Sequence, residues 1–144
     1  MREYFYYIDF QGKLFHDNTE LTDNQFLDFF FRRIIKNETD LHQDYPYMSP
    51  CGKEMNFIKV ADIPFVFFKL NDNLLFYAPT LFVEFQPDQL SYSESGILYH
   101  PLNNVSIGRL HTKLLLEISP YIEMQNEKYI LSWKGNRFLL KLKT

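Results

Sequence analysis

Two stretches of this chain spell nearly the same word. Gly12-Lys13-Leu14-Phe15-His16 is followed, 84 positions on, by Gly96-Ile97-Leu98-Tyr99-His100, without a gap. At the same offset Phe26, Phe30 and Ile34 fall on Leu110, Leu114 and Ile118. Farther on, at an offset of 72, Phe57-Ile58 meets Tyr129-Ile130, and Phe67-Phe68-Lys69-Leu70 meets Leu139-Leu140-Lys141-Leu142. Between these registers Pro46-Tyr47-Met48 faces Pro120-Tyr121-Ile122. Blocks in the same order over such a span are the mark of a doubled unit, although apolar pentads also recur by chance in a chain with 15 Phe and 10 Tyr.

The local pattern says what each unit contains. Tyr4 to Phe10 is aromatic or β-branched at almost every position, and Gln11-Gly12 supplies a turn before Lys13 to His16, which is a hairpin signal. Thr22-Asp23-Asn24-Gln25 has the form of a capping box, and Phe26, Phe30 and Ile34 follow at helical spacing, so a helix is expected from Thr22 to Lys36. Asn37 to Asp44 is polar and aperiodic, a surface loop. Met55–Val60, Phe65–Leu70, Leu74–Ala78 and Leu81–Phe85 suit strands, with turns at Asn71-Asp72-Asn73 and Pro79-Thr80.

A two-stranded hairpin cannot by itself cover the wide apolar stripe of the helix beside it. The expected class is therefore α+β: two pseudo-repeats of hairpin, helix and hairpin, forming a mainly antiparallel curved sheet packed on two helices. Residues 1–144 form a single domain in this reading, with halves at about 1–72 and 86–144 joined by strands in 73–85.

Bulk properties exclude several function classes. A net charge of −3 over 144 residues gives no footprint for a polyanion, so no nucleic acid is expected. The longest apolar run, Ile63 to Phe68, is far too short for a membrane span. The lone Cys51 rules out an internal disulfide and a thiolate cluster, as suits a reducing compartment. Met1 to Asp9 is neither signal nor transit peptide in type. Glycine-rich phosphate loops are absent.

Several words also carry a resemblance. Arg2 to Asp9 with Gln11 to Phe15, Ser49-Pro50-Cys51-Gly52-Lys53-Glu54 with Asn56-Phe57, Asp62 to Phe67, and Leu98-Tyr99-His100-Pro101 closely resemble the family of unknown function numbered 4505, also called uncharacterised protein family 0598. The resemblance implies no activity. It implies a bacterial cytoplasmic protein, or a mitochondrial matrix protein if a trimmed eukaryotic member; the missing N-terminal extension favours the former. Pro50, Glu54, Ile58, Val60, Asp62, Pro64 and Phe65 also fit the pattern of a second uncharacterised family, numbered 1285. That similarity implies a β-rich protein of repeated motifs around helices.

Few residues could carry chemistry. Cys51 sits in a turn between Pro50 and Gly52, where a neighbouring lysine could activate a thiol; a nucleophile there would take His16 or His100 as its base, whereas a packed thiol needs neither. His16 and His100 end equivalent strands, and satisfied strand-end imidazoles would look the same. A metal site lacks its third ligand, so neither metal nor other cofactor is expected. Asp62 before Ile63-Pro64 can bond its own turn or stand at a pocket mouth. Tyr4, Tyr6 and Ile8 share one face of the first strand and Phe5 and Tyr7 the other; one face is core, and the second either packs under the other copy or is a recognition surface. The residues thus point to a non-catalytic ligand- or protein-binding module of adaptor or sensor type. Its site would lie where the halves meet, lined by Tyr47, Ser49, Cys51, Glu54, Tyr99 and His100. The alternative is a cysteine-dependent enzyme or redox protein built on Cys51.

Overall fold

A strand that is aromatic on both faces has to be covered twice, and the chain does this with a helix carrying Phe30 on one face and a loop carrying His42 and Tyr45 on the other. The computed structural model describes residues 1–144. Its first part comprises β1 (Arg2–Ile8), β2 (Leu14–His16), β3 (Thr19–Glu20), α1 (Asn24–Arg32), β4 (Ile35–Lys36), β5 (Tyr47–Cys51) and β6 (Glu54–Val60). These strands form one six-stranded sheet in the order β3-β2-β1-β6-β5-β4. Neighbours are antiparallel except β1 and β6, which run parallel in register from Arg2↔Glu54 to Ile8↔Val60.

The helix is shorter than its periodicity predicts. Asp23, not Thr22, is its N-cap, its carboxylate accepting the Phe26 N–H at 2.9 Å. The helix stops at Arg32 because Ile35 and Lys36 leave it to pair with Met48 and Tyr47. Its inner face buries Phe30 and Phe31.

The strand expected over Phe65–Leu70 is broken in two: β7 (Val66–Phe67) and β8 (Lys69–Asn71) join different sheets. β8, β9 (Leu74–Phe76) and β10 (Phe82–Glu84) make an antiparallel meander. The remaining elements are β11 (Ser91–Tyr92), β12 (Leu98–Pro101), β13 (Ile107–Leu110), α2 (Thr112–Ile118), β14 (Ile122–Gln125), β15 (Lys128–Trp133), β16 (Asn136–Leu139) and β17 (Lys141–Leu142). They form a five-stranded sheet, β17-β11-β12-β13-β7, and a three-stranded one, β14-β15-β16. Leu110 lies on β13 rather than on α2, so the offset that aligns the first hairpins does not carry into the helix. The class is α+β, with mostly antiparallel sheets and two α-helices. No helix is long and apolar enough to cross a membrane.

The two Gly-containing turns close in the same way. Asp9 N–H donates to Lys13 C=O at 3.0 Å and Gly12 N–H to Asp9 C=O at 3.1 Å; Ser93 N–H donates to Ile97 C=O at 2.9 Å and Gly96 N–H to Ser93 C=O at 3.0 Å. Gly12 (φ +82°) and Gly96 (φ +87°) both sit in the left-handed region.

Buried apolar residues fall into two clusters. One gathers Tyr6, Ile8, Leu14, Phe30, Phe31, Ile58, Phe65 and Ala78; the other gathers Phe67, Leu75, Phe85, Leu90, Leu98, Leu110, Leu114, Ile118, Leu131 and Leu140. β7 stitches them, with Phe65 just before it in the first core and Phe67 in the second. Its pairing with β13 is parallel, Val66↔Arg109 and Phe67↔Leu110. The approach is close: a Cβ on Gly108 would lie 2.5 Å from the Phe67 ring, so no other residue fits there without displacing it.

Candidate functional site

Cys51 ends β5 half-buried, its thiol 3.5 Å from the Ser49 carbonyl and 3.6 Å from Ser49 Oγ. Ser49 itself is buried and donates to Phe30 C=O at 2.7 Å, while Asn56 Nδ2 donates to Ser49 C=O at 2.9 Å. The Ser49–Glu54 turn thus ties the sheet to α1. No imidazole is among the hydrogen-bond partners of Cys51, so a nucleophile–base pair is not assembled.

The histidines are used locally. His16 Nδ1 lies 3.0 Å from Phe5 C=O and its ring packs on Tyr6. His100 is buried between Phe67 and Phe85, with Nδ1–H donating to Pro101 C=O at 2.8 Å and Nε2 accepting the Gln86 N–H at 3.0 Å. The two rings share no neighbour. No three His, Cys, Asp or Glu side chains gather in a metal-holding group.

Both bonds of His100 suit the neutral ring, and burial pulls its pKa below the ordinary imidazole value against the raising effect of the Pro101 carbonyl. The unfolded chain then binds a proton that the folded chain refuses. Stability is complete above about pH 6.5, the unfolded value, and is lost as pH falls through the depressed folded one. As pH falls from 7 through the unfolded value the urea-unfolding free energy is expected to decline, by less than the full one-proton slope of about 1.4 kcal/mol per pH unit. His100→Gln should flatten that slope; an unchanged slope would count against it.

The aromatic second face of β1 is covered by the loop between β4 and β5. His42 and Tyr45 pack on Phe5 at 4.9 and 5.1 Å between ring centroids, His42 also on Phe57 at 4.7 Å, and His42 Nε2 lies 3.0 Å from a Glu3 carboxylate oxygen. This face packs under the chain's own loop rather than under the second half, leaving Tyr7 partly exposed.

At the seam between the two cores, Asp62 accepts the Tyr99 hydroxyl at 2.8 Å and faces Arg109 Nη1 at 3.2 Å. The Arg109 side chain is 9 % exposed, its guanidinium carbon lies 4.9 Å from the Phe10 ring centroid, and its Nε has no partner. Burial, the bond to Asp62 and that carboxylate's charge push the Tyr99 phenol up to about 12, so it stays protonated and donates to Asp62. Beside this cluster is a cavity of about 220 Å³, lined among others by Tyr47, Ile63, Pro64, Phe65 and Ile107. Of the sequence candidates, Tyr47 reaches this cavity and Tyr99 the ion pair; Ser49, Cys51, Glu54 and His100 do not line it.

The sequence reading missed an open apolar groove of about 350 Å³ between α2, the Ser93–Gly96 turn and β14–β15. Its walls are Tyr92, Leu98, Leu115, Ile122, Tyr129, Leu140 and others, with Met124 at its exposed edge. Tyr92 and Tyr129 meet edge to face, 4.9 Å between centroids. Of its walls only Leu98 stands in a word whose counterpart, Leu14, holds the matching place after a Gly turn; the words aligned at an offset of 72 pair Tyr129 and Leu140 with Phe57 and Phe68, a register that the hairpins β5–β6 and β15–β16, which correspond at 82, do not follow.

The sequence matches the family described as Domain of unknown function (DUF4505) over residues 1–144. The chain belongs to the DUF4505 family. Two solved structures are similar to this DUF4505 chain, both DUF1285 family proteins. The one from Silicibacter pomeroyi DSS-3 aligns with a TM-score of 0.58 at 15 % identity, covering 95 % of this chain and 79 % of its own. The one from Shewanella baltica OS155 aligns with a TM-score of 0.58 at 14 % identity, covering 80 % of this chain and 90 % of its own. At such identities the likeness extends to the fold. Both families whose words were found in the sequence are thus represented.

Proposed function

We propose that this DUF4505 protein is a non-catalytic binding module made of two like units, and that its contact site is the open groove of the second. The observation that carries the proposal is the groove itself, a concave apolar surface in a chain where the one thiol has no base. Apolar walls with a few polar groups at the rim are the usual make-up of a ligand site.

The tandem reading is supported by coincident registers. The hairpin β5–β6 closes on Cys51↔Glu54 and β15–β16 on Trp133↔Asn136, which lays Tyr47 on Tyr129, Ile58 on Leu140 and Val60 on Leu142. The parallel pairing agrees independently, since Ile8 pairs with Val60 and Tyr92 pairs with Leu142. The helices follow with N-caps Asp23 and His111, and Lys36↔Tyr47 matches Met124↔Tyr129.

Titration with an environment-sensitive apolar dye such as anilinonaphthalene sulfonate tests the site. One dye per chain is expected, with affinity reduced at least about tenfold by Met124→Glu, a change at an exposed rim that leaves the core alone. Absence of saturable binding, or indifference to Met124→Glu, would overturn the assignment.

A further inference from the structure

The equivalent groove of the first unit is already filled, and by a segment of the chain itself. Phe65 is buried in the core of Leu14 and Ile58, on which Ile34 and Tyr47 also pack, and Ile63 and Pro64 stand with Ile34 and Tyr47 around the remaining cavity of about 220 Å³. The next residue, Val66, covers the first turn so closely that a Cβ on Gly12 would stand 2.7 Å from the valine Cβ. In the second unit the matching residues Ile122, Tyr129, Leu98 and Leu140 are the walls of the open groove, and a Cβ on Gly96 would meet nothing within 4 Å. The same groove therefore occurs twice, once with an Ile-Pro-Phe-Val segment across it and once without.

The backbone shows where such a segment enters. Ala61 N–H donates to Ile8 C=O at 2.9 Å, and Lys143 N–H donates to Tyr92 C=O at 2.8 Å, the corresponding bond in the second unit. In the first unit the residue after Ala61 is Asp62, whose carboxylate is held by Arg109. In the second unit Leu140 and Leu142 line the groove, whereas Lys141 and Lys143 do not, Lys143 Nζ standing 4.9 Å from the ring centroid of Tyr99 on the other face of β12; the one charged residue lining the groove is Glu94.

We infer, resting on the groove assignment above, that the second groove receives an extended segment of a partner protein bearing a proline followed by an aromatic residue, in the manner of residues 63–65. A second copy of this chain is a poor donor, because its own Phe65 and Val66 are buried. Extended backbone fixed by proline loses little entropy on docking, and the aromatic ring supplies the anchor.

The probe is a synthetic heptapeptide with the sequence of residues 60–66, Val-Ala-Asp-Ile-Pro-Phe-Val, added to the intact protein and followed by amide chemical shifts and by displacement of the dye. The expected result is saturable binding that moves the Gly96 amide and displaces the dye. Replacing the peptide's phenylalanine by alanine should weaken binding about tenfold or more. If the dye binds and responds to Met124→Glu but the peptide neither displaces it nor shifts Gly96, the groove stands and the peptide assignment falls. Equal binding of the alanine peptide, or concentration-dependent dimerisation that closes the groove, would also overturn it.

Discussion

Leu14→Asp and Leu98→Asp are each expected to abolish the native fold. Both leucines follow a Gly turn on the second strand of a hairpin, and they are 1 % and 3 % exposed in different cores. Burying an unpaired carboxylate there costs more than the roughly 5–15 kcal/mol that holds a typical domain together, unless the chain opens to hydrate it. Leu14→Ala and Leu98→Ala give the graded measurement, with losses of about 2–5 kcal/mol in urea unfolding. Leu14 should be the more sensitive, since it is packed in with Phe65 whereas Leu98 borders the groove. Trp133 packs on the second core, against Phe85, so its fluorescence asks whether damage at Leu14 is felt across the molecule. A common shift of the tryptophan and circular-dichroism transitions is expected because β7 belongs to both sides. Tolerance of aspartate at either leucine would contradict the packing described.

Removing Asp62 is the second large effect. Asp62→Ala leaves the Arg109 guanidinium nine-tenths buried without its carboxylate, a change that typically costs about 3–5 kcal/mol. The 30 % exposure of the Asp62 side chain lets water in and favours the lower end of that range. Arg109→Met in the Asp62→Ala background should recover much of the loss, because the methionine removes the stranded charge and keeps the volume. A double-mutant cycle by urea unfolding measures the coupling, and purely additive losses would show that the pair does not act together. Tyr99→Phe should cost about 1.5–3 kcal/mol, the range for a hydrogen bond to a charged group.

Much of the architecture was readable because it is local. The Gln11-Gly12 turn, the stripe of α1 and the buried positions of Leu14, Leu98, Leu114 and Ile118 follow from spacing alone. What spacing could not supply is direction and partnership. Ile34 to Lys36 continue the helical period, yet pairing with β5 takes Ile35 and Lys36 into a strand. Nothing in Met55–Val60 says that it runs parallel to β1. Arg109 reads as an ordinary polar strand residue, and its burial is decided by Asp62, 47 residues away. Among the candidate site residues, Cys51 and His100 make hydrogen bonds that use them locally. The groove was hidden because it depends on what lies beside the repeated residues as much as on the residues themselves.

The stitch made by β7 bears on how the chain is made. A ribosome releases β6 only a few residues before Phe65, but β7 must then wait some forty residues more for β13 to emerge. Throughout that interval the nascent chain carries a short unpaired strand of Val66 and Phe67. A product truncated between residues 70 and 105 would keep that sticky end permanently, so it is the fragment most in need of a chaperone.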